Sequence, residues 1–394
     1  MASRGPKLTF DSVTQPIAAT VGSPSLATLS LIFLFSRVID KSELSFTLKR
    51  RDLDALTKAE HFFSLLVQKV KSSRWLKVYL SVLLFKYLNH IGNRFVIDKQ
   101  APRKIRWPEH VVVITGAARG ILGEVACQLS EKGAKVAAID AAPRSDHGKE
   151  TLYIQADVTD GESMAKAKKQ VEDKLGLCTM LIPGAGLARH GFILDPPSIT
   201  PFTFPLKVSD VNLHGVVNTL KVFGEDMLPD GGRLGKNSIS QARNQWGGHI
   251  LLIGSGAAFI VLPANGTYNA SKAGVLSLHE TLSTELESWH NVKNVRNSVI
   301  CPLKVDTAMT EGRMKDTHSQ FMLPTLTAGQ VASKIVEMLE EDRSQMVFMP
   351  RAAYLLSYVR NLPPWAVRLV HRAAGSFGTF SDYASRHRGV VADK

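Results

Sequence analysis

The sequence predicts an α/β fold in which a doubly wound parallel sheet follows an apolar helical extension at the N-terminus. Val111–Ile114 is a short β-branched run, typical of a strand that is buried on both faces. A glycine-bearing turn and the helical stretch Glu124–Glu131 come next, and Gly133 fits a helix C-cap before a second apolar run, Lys135–Ile139. Strand, helix and strand in this order form the opening unit of a nucleotide-binding sheet.

The same alternation continues along the chain, which is the pattern of a Rossmann-type domain. Ala141–Glu150 is short and contains a proline, so we expect no full crossover helix there and thin cover on one face of the sheet. Pro229–Gly248 is rich in Gly, Asn, Ser and Gln and predicts a long surface insertion. Further buried strands are predicted at Met180–Ile182, Ile250–Ile253 and Val295–Ile300.

Two apolar stretches precede this domain. Leu26–Phe35 is shorter than the run of about 20 residues that a membrane span needs. In Trp75–Leu88, Lys77 and Lys86 lie nine residues apart, on opposite sides of a helix. Lysines that reach the interface from an apolar helix suit a segment lying in or dipping into a bilayer, although the helix could instead pack on the core of the following domain or on a partner subunit. We therefore divide the chain into residues 1–109, a helical and membrane-associated region, residues 110–347, the nucleotide-binding domain, and residues 348–394, an interfacial or capping segment.

The net charge of +13 is unevenly distributed. Residues 1–110 carry +10 (18 Lys/Arg against 8 Asp/Glu) and residues 343–394 carry +6 (8 against 2), which leaves −3 for the central part. A nucleic-acid enzyme would carry its basic residues around its active face, so this class is disfavoured. Basic ends beside apolar segments indicate an anionic membrane surface instead.

The three cysteines exclude two further kinds of site. Cys127, Cys178 and Cys301 are far apart and form no CxxC pair, so we expect neither a structural metal site nor a disulfide framework. Three unpaired thiols are typical of a reducing compartment, where they serve as small buried apolar residues.

The turn after the first strand predicts a dinucleotide site. Thr115–Gly123 leads from a strand into a helix, where glycines let the backbone approach a pyrophosphate at the positive end of the helix. Asp140 ends the second strand, where a carboxylate can accept the ribose hydroxyls of NAD. Arg119 could instead pair with the 2′-phosphate of NADP, and the balance favours NAD. The candidate cofactor-binding residues of this part are Gly116, Arg119, Gly120, Ile121 and Asp140.

Tyr268 and Lys272 predict the chemistry. They are four residues apart and share one face of a helix. A free tyrosine has a pKa of about 10, and a nearby ammonium moves it towards neutral pH by stabilising the phenolate. Ser255 lies 13 residues before Tyr268, just after a predicted strand, where its hydroxyl could polarise a carbonyl. These three residues indicate an acid/base site.

Over Val111–Val347 the sequence resembles the short-chain dehydrogenase/reductase family. The resemblance implies a seven-stranded parallel sheet and hydride transfer to or from a nicotinamide. It also implies that Tyr268 donates the proton, that Lys272 holds the ribose and that Ser255 orients the substrate. The resemblance also implies that Asn212 is the fourth catalytic residue, and the implied proton path runs from Tyr268 through the ribose hydroxyl and Lys272 to water held near Asn212. Further cofactor contacts are implied for Asp157, Val158, Gly184, Ala185, Gly186 and Thr307.

Three positions depart from the family pattern. Leu122 stands where a third glycine lets the helix pack closely on the strand, so we expect the helix to be displaced or the turn to twist. Pro183-Gly-Ala-Gly186 replaces an Asn-Asn-Ala-Gly run, and Leu303 replaces the glycine of a Pro-Gly pair. Together these changes predict weaker cofactor binding.

Within that family the layout resembles membrane-associated retinol and hydroxysteroid dehydrogenases. This implies a lipophilic alcohol or ketone as substrate (a retinoid, steroid or long-chain alcohol), under a lid at residues 308–326. It also implies a catalytic domain on the cytosolic side of the endoplasmic reticulum or a lipid droplet, and a homodimer formed through the helices that carry Asn212 and Tyr268. Tyr354–Trp365 contains both aromatic and basic residues, which suits a bilayer interface, a pocket cap or a subunit contact. The alternative function is a non-catalytic Rossmann-fold scaffold at a membrane or lipid droplet.

Overall fold

The computed structural model describes residues 9, 11–12, 74–97, 100–143, 151–198, 200–228, 247–309 and 321–376. The apolar run Leu26–Phe35, nearly all of the predicted insertion and most of the predicted lid lie outside these residues. The chain divides into two compact units, Met1–Ile97 and Asp98–Lys394, whereas the sequence placed the boundary after residue 109.

Apart from residues 9, 11 and 12, the described part of the first unit is one helix, α1 (Arg74–Gly92), followed by a π-helical turn at Asn93–Ile97. It contains the apolar run predicted to associate with a membrane, and Val78, Phe85 and Leu88 on it are exposed. No helix within the described ranges combines the length and the apolar character needed to cross a membrane.

The second unit contains a seven-stranded parallel sheet. Its strands are β1 (Val111–Thr115), β2 (Lys135–Asp140), β3 (Leu152–Gln155), β4 (Met180–Pro183), β5 (Gly248–Ile253), β6 (Val295–Pro302) and β9 (Met346–Met349). Two short strands, β7 (Val305–Asp306) and β8 (Leu326–Thr327), pair with each other outside it.

Helices connect these strands. They are α2 (Gly120–Glu131), α3 (Gly161–Lys174), α4 (Thr203–Ser209), α5 (Gly215–Gly224), α6 (Gly266–Ser288), α7 (Ala328–Glu340) and α8 (Pro364–Ser376). A π-helical turn at Asp210–His214 joins α4 to α5, and 3-10 segments occupy Trp107–Glu109, Glu225–Met227, Gly256–Ala258 and Arg351–Asn361. Lys132 is the C-cap of α2, and Gly133, predicted at that position, follows it with φ +87°, the left-handed conformation in which a glycine ends a helix.

The strand order β3-β2-β1-β4-β5-β6-β9 confirms the predicted doubly wound, Rossmann-type sheet. The run at 111–114 lies at its centre as β1, with every residue buried. The apolar pattern of the sequence did not predict β3 and β9, which form the two edges of the sheet. Only Ile154 in β3 and Phe348 in β9 are fully buried, so neither segment has the continuous apolar run that marks an interior strand.

Each face of the sheet carries its own apolar layer. On one face the buried residues of α3, α5 and α6 pack against the strands. On the other face α2 and α7 do so. Burial on both sides explains why the interior strands read as unbroken apolar runs rather than alternating ones.

A buried ion cluster ties the start of the second unit to the sheet. The backbone N–H and Nε of Arg103 donate to Asp342 Oδ2 at 2.8 and 2.9 Å, and Nη2 donates to Oδ1 at 2.7 Å. Arg296 on β6 lies 3.6 Å from the same carboxylate and donates to the carbonyls of Gln100 and Ala101. Burial alone would raise the pKa of Asp342, but the hydrogen bonds and charge of Arg103, with the charge of Arg296, hold it below its ordinary value.

Candidate active site

The site lies where the strand order reverses. After β1 the chain builds β2 and β3 on one side and then returns to β4 on the other, which leaves a crevice at the carboxyl ends of β1 and β4. The turns after these two strands touch, because a Cβ on Gly116 would lie only 2.6 Å from Ala185 Cα. Thr115 Oγ1 accepts hydrogen bonds from Gly184 N at 3.1 Å and Ala185 N at 3.4 Å. The two turns therefore form one joined edge of the crevice.

The glycine turn opens towards the start of α2. Gly116 and Gly120 have φ angles of +79° and +68°, a backbone conformation that residues other than glycine rarely adopt. A Cβ on Gly120 would meet no atom within 4 Å, so open space lies beside the first turn of α2. Arg119 is exposed and Ile121 is half-buried. Backbone amides at a helix start with free space beside them fit an anionic group such as a pyrophosphate.

Asp140 stands at the end of β2 against this turn. Its Oδ2 accepts from Ala118 N and its Oδ1 from Ala142 N, both at 2.9 Å. The backbone thereby orients the carboxylate that we expect to face a ribose. Asp157 is exposed, and its Oδ1 accepts from the backbone N–H and hydroxyl of Thr159, while Val158 is buried beside Gly215.

The structure shows how Leu122 is accommodated. Leu122 is buried in the first turn of α2, and its Cδ1 lies over Gly184. A Cβ on Gly184 would clash with this atom and would lie 2.9 Å from Ile253 Cγ1. The glycine that the family has in the helix is thus replaced by a glycine on the facing turn.

Gly184→Ala is expected to lower the free energy of unfolding by about 1–3 kcal/mol, because the added methyl group overpacks this contact. Leu122→Ala in the same chain should recover part of the loss, with a coupling of about 0.5–3 kcal/mol in urea unfolding. Gly329→Ala in α7 is the matched control, since a Cβ there meets nothing within 4 Å. Additive effects of the Gly184 and Leu122 variants would show that the two positions do not compensate each other.

The other two departures from the family pattern, at Leu303 and Pro183, have different structural consequences. Leu303 packs over a second glycine, since a Cβ on Gly256 would lie 2.5 Å from Leu303 Cδ1. Its backbone N–H donates to Met349 O at 2.8 Å, which holds the segment after β6 against β9. Pro183 ends β4 beyond the register with β5, which extends only from Met180 to Leu181. The missing N–H of this proline therefore interrupts no hydrogen bond with β5.

Tyr268, Lys272 and Ser255 come together at the ends of β5 and α6. Tyr268 and Lys272 lie one turn apart on α6, with Lys272 Nζ 5.8 Å from the centre of the Tyr268 ring. Lys272 is buried, and its Nζ donates to Ile253 O at 2.9 Å. Ser255 lies two residues after the end of β5, and its Oγ accepts from Ala257 N at 3.2 Å. The strand end thus positions both the serine and the lysine around the tyrosine.

The charges at this site follow from burial. Burial raises the pKa of Tyr268, and a hydrogen bond with the Ser255 side chain opposes that rise. Burial lowers the pKa of Lys272 to about 8, although the nearby Cys301 thiol counteracts this slightly. The sequence predicted that Lys272 would lower the pKa of Tyr268, whereas burial dominates here and the pKa is raised. At neutral pH the phenol is therefore protonated and ready to donate.

Asn212 occupies the π-helical turn between α4 and α5 and is fully buried. Its Oδ1 accepts from Leu187 N at 2.7 Å, and its Nδ2 donates to Leu187 O at 2.9 Å and to Ser271 Oγ at 3.1 Å. Ser271 Oγ in turn donates to the carbonyl oxygen of Tyr268 at 2.8 Å. Asn212 thus links the segment after β4 to the helix that carries Tyr268, a role that π-turns at functional sites often support.

Two positioning residues were missed from the sequence. Ser271 lies inside the Tyr-Asn-Ala-Ser-Lys run, and Thr115 opens the glycine turn. Both were quoted within motifs but not assigned a role, because only the folded chain brings Asn212 to the former and Gly184 to the latter. Thr307 is half-buried directly after β7.

These residues fit a dinucleotide. Three features lie along adjacent strand ends: the glycine turn at Gly116 and Gly120, the oriented carboxylate of Asp140 and the buried ammonium of Lys272. Among the residues that the structure describes, no group of three or more His, Cys, Asp or Glu side chains could hold a metal ion.

Comparison with known proteins agrees with this geometry. The family model for short chain dehydrogenase matches residues 110–318. An acetoacetyl-CoA reductase from Synechocystis is 34% identical over 216 residues, which cover 54% of this chain and 79% of that protein. A 3-oxoacyl-(acyl-carrier-protein) reductase, MabA, from Mycobacterium tuberculosis is 29% identical over 239 residues, covering 59% and 86%.

A solved structure has the same fold. It is a short chain dehydrogenase from Burkholderia cenocepacia in complex with NADP, and it matches with a TM-score of 0.53 at 24% identity. The match covers 68% of this chain and 99% of that one.

Proposed function

Because this chain belongs to the short-chain dehydrogenase family, we propose that it is an NAD(P)-dependent oxidoreductase that interconverts a lipophilic alcohol and its carbonyl. One observation carries the proposal: the fold brings Asn212, Ser255, Tyr268 and Lys272 to the carboxyl ends of β4 and β5, beside the glycine turn. The fold alone is compatible with many functions, whereas this group of side chains is suited to proton transfer.

In the direction of reduction, Tyr268, Ser255 and Lys272 each have a different role. Tyr268 donates its phenolic proton to the carbonyl oxygen, and the Ser255 hydroxyl orients that oxygen beside it. Lys272 carries its positive charge below its pKa of about 8 and stabilises the phenolate that remains. NAD(P)H, when bound, supplies the hydride. We expect the following residues to hold it: Gly116, Arg119, Gly120, Ile121, Asp140, Asp157, Val158, Gly184, Ala185, Gly186, Tyr268, Lys272 and Thr307.

The surface beside Tyr268 supports an apolar substrate. Ile193 and Leu194 are 84% and 94% exposed on the segment that follows Leu187. Ile193 lies against Gly266, two residues before Tyr268, since a Cβ on that glycine would be 2.8 Å from Ile193 Cδ1. Exposed apolar side chains next to a reactive group favour a substrate whose remaining part is apolar.

Several substrate classes satisfy this requirement. Retinoids, steroids and long-chain alcohols are those implied by the sequence. The names of the two reductase relatives add 3-oxoacyl thioesters as a further class to screen. A screen of NADH and NADPH oxidation over these classes tests the proposal, with a short water-soluble ketone as the comparison. Equal turnover of the short ketone would refute the lipophilic part, and no turnover of any substrate would refute the reaction.

We further propose that NAD is preferred over NADP, since Asp140 directs a carboxylate towards the ribose position. Asp140→Asn is expected to weaken NADH binding by about 1.5–3 kcal/mol, roughly 10–100-fold in affinity. NADPH binding should weaken less, because the repulsion of a 2′-phosphate is also removed. Fluorescence titration measures both, with Glu124→Gln on the exposed side of α2 as a control for loss of charge. Tighter binding of NADPH than of NADH to the unaltered protein would contradict the preference.

The second candidate is a non-catalytic scaffold at a membrane or lipid droplet. Its support is Leu122 in the cofactor turn, and its weakness is that Gly184 provides the space this leucine needs. A scaffold also has no physical need for the Tyr268, Lys272 and Ser255 arrangement. Absence of NADH and NADPH binding at millimolar concentrations would favour the scaffold.

We propose a setting to go with the enzyme: the catalytic domain faces the cytosol at the endoplasmic reticulum or a lipid droplet, as a homodimer through the helices that carry Asn212 and Tyr268. The basic ends of the chain support the membrane part. Fractionation of the tagged full chain, with light scattering of the purified protein, tests both parts. A freely soluble protein or a monomer would contradict the corresponding half.

A further inference from the structure

We infer that a C-terminal surface of the second unit docks on an anionic lipid bilayer. This surface is formed by the exposed side chains of the 3-10 segment Arg351–Asn361 and of α8, and we define it by Tyr358, Leu362, Trp365, Arg368, Leu369 and Arg372. The inference rests on the membrane setting proposed above, for which it names a surface and a lipid class, and it does not depend on the proposed reaction.

Helix α8 presents two kinds of side chain on one exposed face. Trp365 and Leu369 are four residues apart and are 68% and 55% exposed. Arg368 and Arg372, also four apart, are exposed beside them, whereas Val367 and Val370 are half-buried. Residues at this spacing lie one above the other on a helix, so an apolar ridge runs alongside a row of guanidinium groups. A helix of this kind suits the boundary between headgroups and acyl chains.

The preceding 3-10 segment extends the same character. Tyr354 and Tyr358 are about half exposed, their rings meet edge to face at 5.5 Å between centroids, and their hydroxyls lie 3.1 Å apart. Leu355 and Leu362 are exposed next to them. Tyrosine and tryptophan favour the bilayer interface, where the ring is in an apolar layer and the polar group reaches water.

The charge of this region selects the partner. Residues 343–376 contain five arginines and no aspartate or glutamate. A second copy docked through the same patch would bring these arginines against their own counterparts, which like-charge repulsion disfavours. A bilayer that contains anionic lipid satisfies both parts of the surface, since each arginine near it contributes about 1 kcal/mol and the apolar side chains enter the boundary layer.

The surface is joined to the loop that carries Ser255. Arg360 Nη2 donates to Ala258 O at 2.7 Å. Phe259 packs on Phe348 with ring centroids 5.2 Å apart, and Phe348 packs on Tyr354 at 5.4 Å. Ala258 and Phe259 follow Ser255 by three and four residues. A bilayer bound to this surface therefore lies beside the loop that carries Ser255. An apolar substrate could then pass directly between the lipid and the proposed active site.

The test uses the full chain and vesicles of phosphatidylcholine, with or without phosphatidylserine, whose acyl chains carry bromine to quench tryptophan fluorescence. We expect stronger binding to the anionic vesicles and a quenched component that Trp365→Phe removes. Trp289→Phe, which alters an exposed tryptophan at the end of α6, should leave that component in place. Arg368→Ala with Arg372→Ala should weaken binding by about 2 kcal/mol, roughly 30-fold.

All variants retain residues 1–97, so a difference between them reports on the C-terminal surface and not on the first unit. Circular dichroism checks that each variant is folded, and the assay contains no cofactor or substrate, so it is independent of the proposed reaction. Unchanged quenching in Trp365→Phe, or unchanged affinity in the double arginine variant, would overturn the inference. A lower mass of Trp365→Ala in sedimentation without vesicles would overturn it too, by assigning the surface to a second copy of the chain.

Discussion

Replacement of Tyr268 by phenylalanine is expected to lower kcat by about 10²–10⁴-fold, the usual contribution of a positioned proton donor. The variant keeps the ring and its packing beside Lys272 but loses the only group at that position that can deliver a proton. Because burial raises the pKa of Tyr268, this group is in its donating form at neutral pH. Steady-state kinetics with the substrate found in the screen measure the loss.

Two controls separate chemistry from structure. Tyr358→Phe removes an exposed phenol outside the site and should leave kcat in detergent solution unchanged. NADH titration of Tyr268→Phe should show affinity within a few-fold of the unaltered protein, since the ring remains in place. Wild-type turnover by Tyr268→Phe would show that the proton comes from elsewhere.

The largest effect on stability is expected at Asp342. Asp342→Asn keeps the size of the side chain and tolerates the φ of +45° at this position, but it removes the negative charge that Arg103 and Arg296 share. Arg296 is 1% exposed, so the substitution takes a negative charge away from a buried guanidinium group. Breaking a buried pair in this way costs about 3–5 kcal/mol. Urea unfolding measures the difference.

The control for this variant is a pair on the surface. Glu337→Gln removes the partner of Lys334 at 2.8 Å, where the glutamate is exposed, and should change the free energy of unfolding by at most about 1 kcal/mol. A loss at Asp342→Asn no larger than that of Glu337→Gln would contradict the importance of the buried cluster.

The effect at Asp342 depends on pH in a defined direction. Its folded-state pKa is lowered, so the stability it contributes is fully present above the unfolded-state value of about 4 and is lost as pH falls through the lower folded-state pKa. The difference between Asp342 and its Asn variant should therefore be largest at neutral pH and shrink in acid. A difference that grew below pH 4 would be inconsistent with a carboxylate held by two guanidinium groups.

Local sequence patterns were sufficient to propose Tyr268, Lys272 and Ser255 as the acid/base residues. The spacing of Tyr268 and Lys272 is a property of one helix, and Ser255 follows a strand whose apolar run is visible in the sequence. The order of strand, glycine turn and helix at 111–131 likewise needs no distant contact. Such features depend on neighbours along the chain, which is why the doubly wound sheet and its interior strands could be predicted.

Contacts between distant segments decided the rest. Leu122 was predicted to displace its helix or to twist the turn, and only the folded chain shows that Gly184, 62 residues later, makes room for its side chain. The pKa of Tyr268 was predicted to fall, whereas burial by the surrounding elements raises it. The pairing of Arg103 with Asp342, 239 residues apart, is likewise visible only in the folded chain. The sequence alone determined which chemical groups this protein has and which strand and helix ends carry them. The tertiary structure decided how those groups are packed, charged and supported, because packing and desolvation depend on atoms that are neighbours in space and not along the chain.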